Sequence, residues 1–320
     1  MGRRVMEELT GKIRAICISE KRGTVKYEVS SALLKEGYGI EGDAHAGKWH
    51  RQVSLLSASD IDAFNEKGAG VKNGDFGENL VVEGIDCVKL PIGSIITIGE
   101  GDGAVRLRVT QRGKECHTHC EIFKRMGECI MPRRGIFTEV ITGGRINKGD
   151  SVRVVYPDKD RPFRAAVIVL SDRASSGEYE DLSGPKACGI LEKNGYEIIE
   201  SLVIPDDKER LKTELIRLSD AREADLIVTS GGTGFSMRDI TPEATMEVAD
   251  RNAPGIAEYM RMKSAEITDR AMLSRAVSVI RGRTVIVNLP GSPGAVEECL
   301  GFIMNGLEHG IGIIRGSVSE

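Results

Sequence analysis

The stretch from residue 224 to residue 245 constrains this chain more than any other. An apolar run, Ala224-Asp225-Leu226-Ile227-Val228, leads straight into Thr229-Ser230-Gly231-Gly232-Thr233-Gly234. A short run of this kind, bounded by turn residues, reads as a buried parallel strand. The glycines allow positive φ and let backbone come close to a ligand. Free N–H groups and hydroxyls in such a loop cradle an anion, usually phosphate. Asp239 follows within reach of that cradle and suits a metal ion on the phosphates. Thr241-Pro242-Glu243 then reads as an N-cap, a first-turn proline and an acidic first turn of a helix. The loop lacks the lysine of a Walker motif and the spacing of a dinucleotide fingerprint.

The 320 residues predict two domains, at roughly 100–200 residues each. A 40% hydrophobic content supports ordinary globular cores. The net charge of −4 gives no broad nucleic-acid signature. That charge is uneven: residues 1–160 carry 25 Lys+Arg against 23 Asp+Glu, and residues 161–320 carry 19 against 25. The more acidic half therefore holds the expected phosphate loop, so its positive field must come from loops, helix ends and metal. Seven irregularly spaced cysteines do not make a disulfide scaffold. No apolar stretch approaches the roughly 18 residues needed to span a bilayer. The basic start, Met1–Glu8, has no apolar core behind it and is not a secretory signal. The expected setting is a reducing cytoplasm, with no membrane and no nucleic-acid partner.

A boundary is expected at Tyr156–Pro162, where Pro157 and Pro162 bracket charged residues. It separates a domain at 1–157 from one at 163–320. Before it, short β-rich segments alternate with glycine turns: Lys12–Ser19, Gln52–Ser57, Asn79–Val82, Ser94–Ile98, Val105–Gln111 and Ser151–Val155. Only Ser59–Lys67 and Cys120–Met126 read as helices. This texture predicts a mostly-β, barrel-like domain. After the boundary, strands are expected at Arg164–Ser171, Glu197–Ile204, Asp225–Thr229 and Thr284–Leu289. They alternate with helices at Gly184–Asn194, Asp207–Ala221 and Gly294–Gly306. That alternation predicts an α/β domain with a mainly parallel sheet covered on both faces, and ligands at the carboxyl ends of its strands.

Three more loops fall at the same strand ends. Ser171 and Asp172 lead to Gly177, Asp181 and Ser183; Ile204 leads to Pro205, Asp206 and Asp207; Asn288 leads to Pro290 and Gly291. Taken with the glycine loop, these segments resemble the MogA/MoaB-like molybdopterin adenylyltransferases from about Arg164 to Gly316. Met272-Leu273-Ser274-Arg275-Ala276 and Ile280-Arg281-Gly282-Arg283 also match. The resemblance implies a three-layer α/β/α domain, usually trimeric, that moves the adenylyl group of ATP to the terminal phosphate of molybdopterin and releases pyrophosphate. It places the two acidic positions of that step on Asp206 and Asp239. Both carboxylates suit Mg²⁺ bridging phosphates, and catalysis would rest on positioning and charge neutralisation. Ser230, Gly231, Gly232, Thr233 and Gly234 would hold the pterin's phosphate. Ser171, Asp172, Gly177, Asp181 and Ser183 would line the pterin or nucleotide side. Asn288, Pro290 and Gly291 complete the edge.

Before the boundary lie four of the five histidines and five of the seven cysteines. They cluster in Lys114-Glu115-Cys116-His117-Thr118-His119-Cys120. Three readings stay open: a soft-metal site on Cys116, Cys120 and a histidine; a reactive thiolate at Cys116, helped by Lys114 and His117; or a packed free cysteine with surface histidines. Glu41–Gly47, Gln52–Leu56, Phe76–Leu80, Val109–Gln111, Cys116, Gly135–Phe137 and Gly149-Asp150 together resemble a MOSC domain, the molybdenum cofactor sulfurase C-terminal type. Some members carry a basic residue after the aspartate where this chain reads Asp43-Ala44-His45. The resemblance implies a β-rich barrel that binds molybdopterin-type cofactor and carries sulfur on the cysteine at Cys116.

Both halves point to one cofactor. The expected function is molybdenum cofactor biosynthesis, with Mg²⁺-ATP-dependent adenylylation of molybdopterin in the second domain and catalytic residues Asp206, Asp239 and Cys116. A molybdenum-insertion protein is the expected downstream partner, and a homotrimer the expected assembly. The alternative is a non-catalytic molybdopterin carrier with a thiol- or metal-binding first module. The choice between molybdenum and tungsten is not encoded in any residue pattern, and neither is the sulfur donor.

Overall fold

Seven described strands before the linker close on one another. The computed structural model describes residues 9–114, 121–158 and 161–316. Leu9–Ile18 pairs antiparallel with both Leu80–Glu83 and Ser151–Val155. The ring then runs from Ser151–Val155 through Ile95–Ile98, Val105–Arg112, Ile136–Thr142 and Val53–Ser57 back to Leu80–Glu83. Only the last of these pairings, Val53–Ser57 with Leu80–Glu83, is parallel. Closure leaves none of the seven as an open edge.

Alternation decides what fills this barrel. Ile96, Ile98, Leu107, Val109, Val152 and Val154 belong to the interior cluster. Consecutive Leu55 and Leu56 point opposite ways. Leu55 joins the interior, and Leu56 joins a second cluster with Ile61 and Phe64 of the helix Ala58–Glu66. A two-residue period with both faces buried explains the continuous apolar texture of Val53–Ser57. The strands expected from sequence occur within a few residues of their expected bounds. Ile136–Thr142 and the small sheet of Ser31–Lys35, Gly39–Ile40 and Gly144–Asn147 had not been anticipated.

The chain divides into two compact units, Met1–Asp158 and Lys159–Glu320. In the second unit a six-stranded sheet runs Glu197–Ile204, Arg164–Leu170, Leu226–Ser230, Thr284–Leu289, Ser278–Arg281, Arg251–Asn252. The first four strands are parallel, and the last two are antiparallel. Along Arg164–Leu170 the side chains alternate. Ala165, Val167 and Val169 pack with helices Ser183–Lys193, Pro254–Ala265 and Pro293–Arg315. Ala166, Ile168 and Leu170 pack with helices Lys208–Ile216 and Thr241–Glu247. The helix expected to stop at Gly306 continues to Arg315 and ends at Gly316 with φ 68°. The stripe Val296, Leu300, Ile303, Leu307 and Ile311 stays buried through it and outweighs the propensity cost of its internal glycines. The helix expected over Asp207–Ala221 is regular only to Ile216, and Arg217–Ala221 is a wider turn.

One buried charge marks the barrel. Glu78 is fully buried, and its carboxylate accepts N–H groups of Gly74 at 2.6 Å and Phe76 at 3.1 Å. Burial pushes its pKa up to about 7 in spite of those donors. A raised folded pKa stabilises the fold below the unfolded value, and that stability is lost as pH rises through about 7. Trp49, the chain's single tryptophan, reports on this unit alone. Denaturation followed by Trp49 fluorescence should therefore show the first unit losing stability as pH rises from about 4.5 to about 7, and levelling off above that. Glu78→Gln should flatten the loss; an unchanged slope in the variant would assign the pH dependence elsewhere.

Candidate functional site

The sheet reverses its winding beside Arg164–Leu170. The next strand, Glu197–Ile204, lies on one side of it, and the third, Leu226–Ser230, on the other. Crossovers leaving in opposite directions open a crevice at the carboxyl ends of those strands. Ser171, Asp172, Asp206, the glycine loop, Pro290 and Gly291 all follow directly on strand ends at this edge. Thr229 and Ser230 end a strand that is wholly buried.

Past Ser230 the chain turns through Gly231 at φ 101° and Gly232 at φ 65°. A Cβ on Gly231 would lie 2.4 Å from the Leu170 carbonyl oxygen, and one on Gly232 would lie 2.4 Å from Thr241 Oγ1. Neither position accepts a side chain. Gly291 packs against Gly231, its own Cβ position being 3.4 Å from the Gly231 Cα. The loop is then strapped from outside by Arg275. Its backbone N–H donates to Thr233 O at 2.9 Å and its Nε to Gly234 O at 2.6 Å; its other guanidinium nitrogens reach Asp239 O and Glu243. Arg275 belongs to a motif of the sequence, yet no local pattern gives it this role.

Three carboxylates gather beside the loop. Asp172 and Asp206 exchange bonds: Asp206 N–H donates to Asp172 Oδ1 at 3.0 Å, and Asp172 N–H to Asp206 Oδ2 at 3.3 Å. Asp239 accepts the Ser236 N–H at 2.8 Å, and a Cβ on Gly234 would be 2.9 Å from its Oδ2. Partial burial, with Asp172 and Asp239 nearby, pushes the Asp206 carboxyl above its usual range, against the bond from the Asp172 backbone and the charge of Arg238. Arg238 is exposed and lies 3.4 Å from Asp172 Oδ2. Among the described residues no group of three or more His, Cys, Asp or Glu side chains is arranged to hold a metal ion by itself. A cation shared by Asp206 and Asp239 would need ligand oxygens to complete its shell.

Other expected site residues hold the frame. Ser230 is fully buried, and its hydroxyl donates to Pro290 O at 2.9 Å, joining two strand ends. Asn288 is also fully buried: its Nδ2 donates to Thr229 Oγ1 and Thr245 Oγ1, and its Oδ1 accepts the Val277 N–H. Asp181 accepts bonds from the Ser183 N–H and hydroxyl and from the Gly184 N–H, capping the helix Ser183–Lys193. Ser171 caps the single turn Asp172–Ser175 through the Ala174 N–H, and Gly177 closes the next turn at φ 79°. Asp207 caps the following helix through the Arg210 N–H. Thr241, expected as an N-cap, sits inside the helix, and its hydroxyl donates to Gly231 O at 2.9 Å. The Thr241 N–H also donates to Gly232 O, so this residue ties the helix start to the glycine loop.

In the first unit, Cys116, His117, His119 and Cys120 lie outside the described residues. Asp43 is buried against Lys26 and accepts the N–H groups of Ser19 and His45. Burial alone would raise the Asp43 carboxyl, but His45 and Lys26 overcome it and hold it well below the usual range. The basic partner absent after Asp43 in sequence is thus supplied by Lys26, which no local pattern marked out. Lys26 Nζ also lies 3.2 Å from His45 Nδ1. Burial pushes the Cys17 and Cys87 thiols up to about 12, so both are packing residues.

Known proteins match both halves. A family model described as "Probable molybdopterin binding domain" matches residues 166–309, and one described as "MOSC domain" matches residues 42–153. The molybdopterin adenylyltransferase of Helicobacter pylori is 39% identical over 156 residues, 48% of this chain and 89% of that protein. The Escherichia coli protein of the same name is 40% identical over 156 residues, 47% of this chain and 80% of that protein. Gephyrin of Dictyostelium discoideum is 34% identical over 200 residues, 59% of this chain and 27% of that protein. The molybdopterin biosynthesis enzyme MoaB from Thermus thermophilus is 39% identical, with 48% of this chain and 97% of that chain covered at a TM-score of 0.47. With a MOSC domain in its first half, the chain belongs through its second half to the molybdopterin adenylyltransferase family.

Proposed function

We propose that this protein works in molybdenum cofactor biosynthesis, as an enzyme that transfers the adenylyl group of ATP to the terminal phosphate of molybdopterin. The observation that carries the reading is the convergence of the glycine loop with Asp172, Asp206 and Asp239 at one strand edge. A phosphate oxygen of molybdopterin attacks the α-phosphorus of ATP, the bond to the β-phosphate oxygen breaks, and pyrophosphate leaves with the electron pair. Two anions must be brought together, so the protein's task is positioning and charge neutralisation. Backbone N–H groups of Gly232, Thr233 and Gly234 hold the pterin phosphate, and Arg275 keeps them in place. Arg238, at the rim, is free to turn from Asp172 toward phosphate oxygens.

The oxygen donors of Asp206 and Asp239 fit Mg²⁺. When bound there with ATP, Mg²⁺ would neutralise charge on the phosphates. The two helix-covered faces of the second unit support a three-layer α/β/α domain for residues 163–320, after a MOSC-type barrel at 1–157. The family supports a homotrimer, a cytoplasmic setting and delivery of the product to a molybdenum-insertion protein. For the MOSC domain we infer cofactor binding or sulfur carriage on Cys116. No described helix is long and apolar enough to cross a membrane.

Adenylylation is tested by incubating the protein with molybdopterin, ATP and Mg²⁺ and following adenylylated pterin. Asp239→Asn and Asp206→Asn should each lower turnover by about 100-fold or more while changing molybdopterin affinity far less. Transfer at the parent rate in either variant would remove that residue from the reaction. Pterin binding without any transfer by the parent protein would make the chain a carrier. Asp206→Asn should also raise the melting temperature at neutral pH. A raised folded pKa means that ionised Asp206 costs stability there, and the gain should vanish in acid, where the parent carboxyl is protonated.

A further inference from the structure

One side chain joins the end of the glycine loop to the aspartate that follows it. Arg275 Nε donates to Gly234 O at 2.6 Å, and its terminal nitrogens reach Asp239 O and the Glu243 carboxylate. Its backbone N–H donates to Thr233 O at 2.9 Å. A peptide unit is planar and trans, so its N–H points away from its C=O. The bond to Thr233 O on one side therefore aims the Gly234 N–H to the other, and that N–H has no partner among the described residues. Asp239 is held at two atoms: Arg275 binds its backbone O, and the Ser236 N–H binds its Oδ2 at 2.8 Å.

Bonds from a guanidinium to carbonyl oxygens are charge-assisted and about twice as strong as neutral ones. Glu243 offsets the charge of Arg275, so its action on a bound phosphate runs through the backbone it orients. The planar fork reaches Gly234 O, Asp239 O and Glu243 from one point, whereas a lysine ammonium would keep the charge and lose the fork. The guanidinium thus ties the last residue of the phosphate cradle to the residue whose carboxylate suits Mg²⁺. An anion that orders Gly234 also orders Asp239, and a cation on Asp239 orders the cradle in return. Whichever ligand arrives second meets a site already ordered, which is positive cooperativity.

We propose that Arg275 is a positioning residue that couples the phosphate loop to Asp239, so that molybdopterin and the divalent cation bind cooperatively. The proposal rests on the adenylyl-transfer reading above.

The test measures Mn²⁺ affinity of the full-length protein by electron paramagnetic resonance, with and without saturating molybdopterin. Mn²⁺ serves as the spectroscopic stand-in for Mg²⁺. The ratio of the two dissociation constants is the coupling factor, and by linkage it applies equally to the pterin. The cation and the pterin phosphate attract each other directly in every protein, so the share of Arg275 is the change in that factor. The parent factor should be about tenfold or more, and Arg275→Lys and Arg275→Gln should each lower it at least about threefold. The backbone bond to Thr233 O survives in both variants; what each loses is the link from Gly234 O to Asp239 O. Variants that bind either ligand more weakly but keep the parent factor contain an arginine that only supports the fold, and overturn the proposal. A loss in Arg275→Gln but not in Arg275→Lys assigns the effect to charge and overturns it too, as does a parent factor of one. Should Arg275→Gln fail to fold, Arg275→Lys decides alone. If the parent binds molybdopterin and transfers adenylyl while the variants keep its factor, only the role of Arg275 falls. A parent that binds no molybdopterin overturns the functional reading itself.

Discussion

Backbone packed against backbone builds the site. Gly231 lies so close to the Leu170 carbonyl that no side chain fits between them, and Gly291 in turn packs on Gly231. Ser230 bonds Pro290 O, and Thr241 bonds Gly231 O. Three parallel strands therefore end at one point, fixed by glycine backbone in close contact and by two fully buried hydroxyls. The Gly231 N–H is taken by the Leu289 carbonyl at 3.3 Å, so the amides of Gly232, Thr233 and Gly234 are the ones an anion at the winding reversal would use. An alanine at Gly231 or Gly232 would have to push neighbouring strands apart or displace a buried hydroxyl.

Electrostatics sets the second condition. The half that holds this loop carries the excess of acidic residues, and Asp172, Asp206 and Asp239 crowd beside the amides. Like charges so placed are unfavourable in the absence of a ligand. They become favourable once a cation and two phosphates arrive, so stability is given up for function at this edge. Arg275 shows how the cost is contained: it binds the loop carbonyls of Thr233 and Gly234 and occupies none of the loop amides. In the barrel the opposite solution appears, since Asp43 is neutralised within the protein by Lys26.

Much of this could be read from sequence, for physical reasons. A central parallel strand is buried on both faces and appears as an apolar run, so Arg164–Leu170 and Leu226–Ser230 were legible, while Glu197–Ile204, at the sheet edge and only partly buried, stood out by its isoleucines and valine. The helix Pro254–Ala265 was not, because it buries only Ala257 and Met260 and shows no apolar stripe. The edge strand Arg251–Asn252 and its neighbour Ser278–Arg281 are too short to stand out. Side-chain direction was the other blind spot. Ser230 and Asn288 have the polarity of ligand contacts, but sequence does not reveal that both turn inward to join strand ends. Lys26 stands among polar residues with no partner nearby in the chain, and only the fold brings it to Asp43.

The central claim is that the two reacting phosphates meet at this strand edge. The most direct measurement is a crystal structure of the protein with molybdopterin and a non-hydrolysable ATP analogue. The pterin's terminal phosphate should rest on the amides of Gly232–Gly234, with the α-phosphate beside it and in reach of Asp206 and Asp239. A pterin phosphate bound away from that loop, or an α-phosphate on the opposite edge of the sheet, would contradict the account.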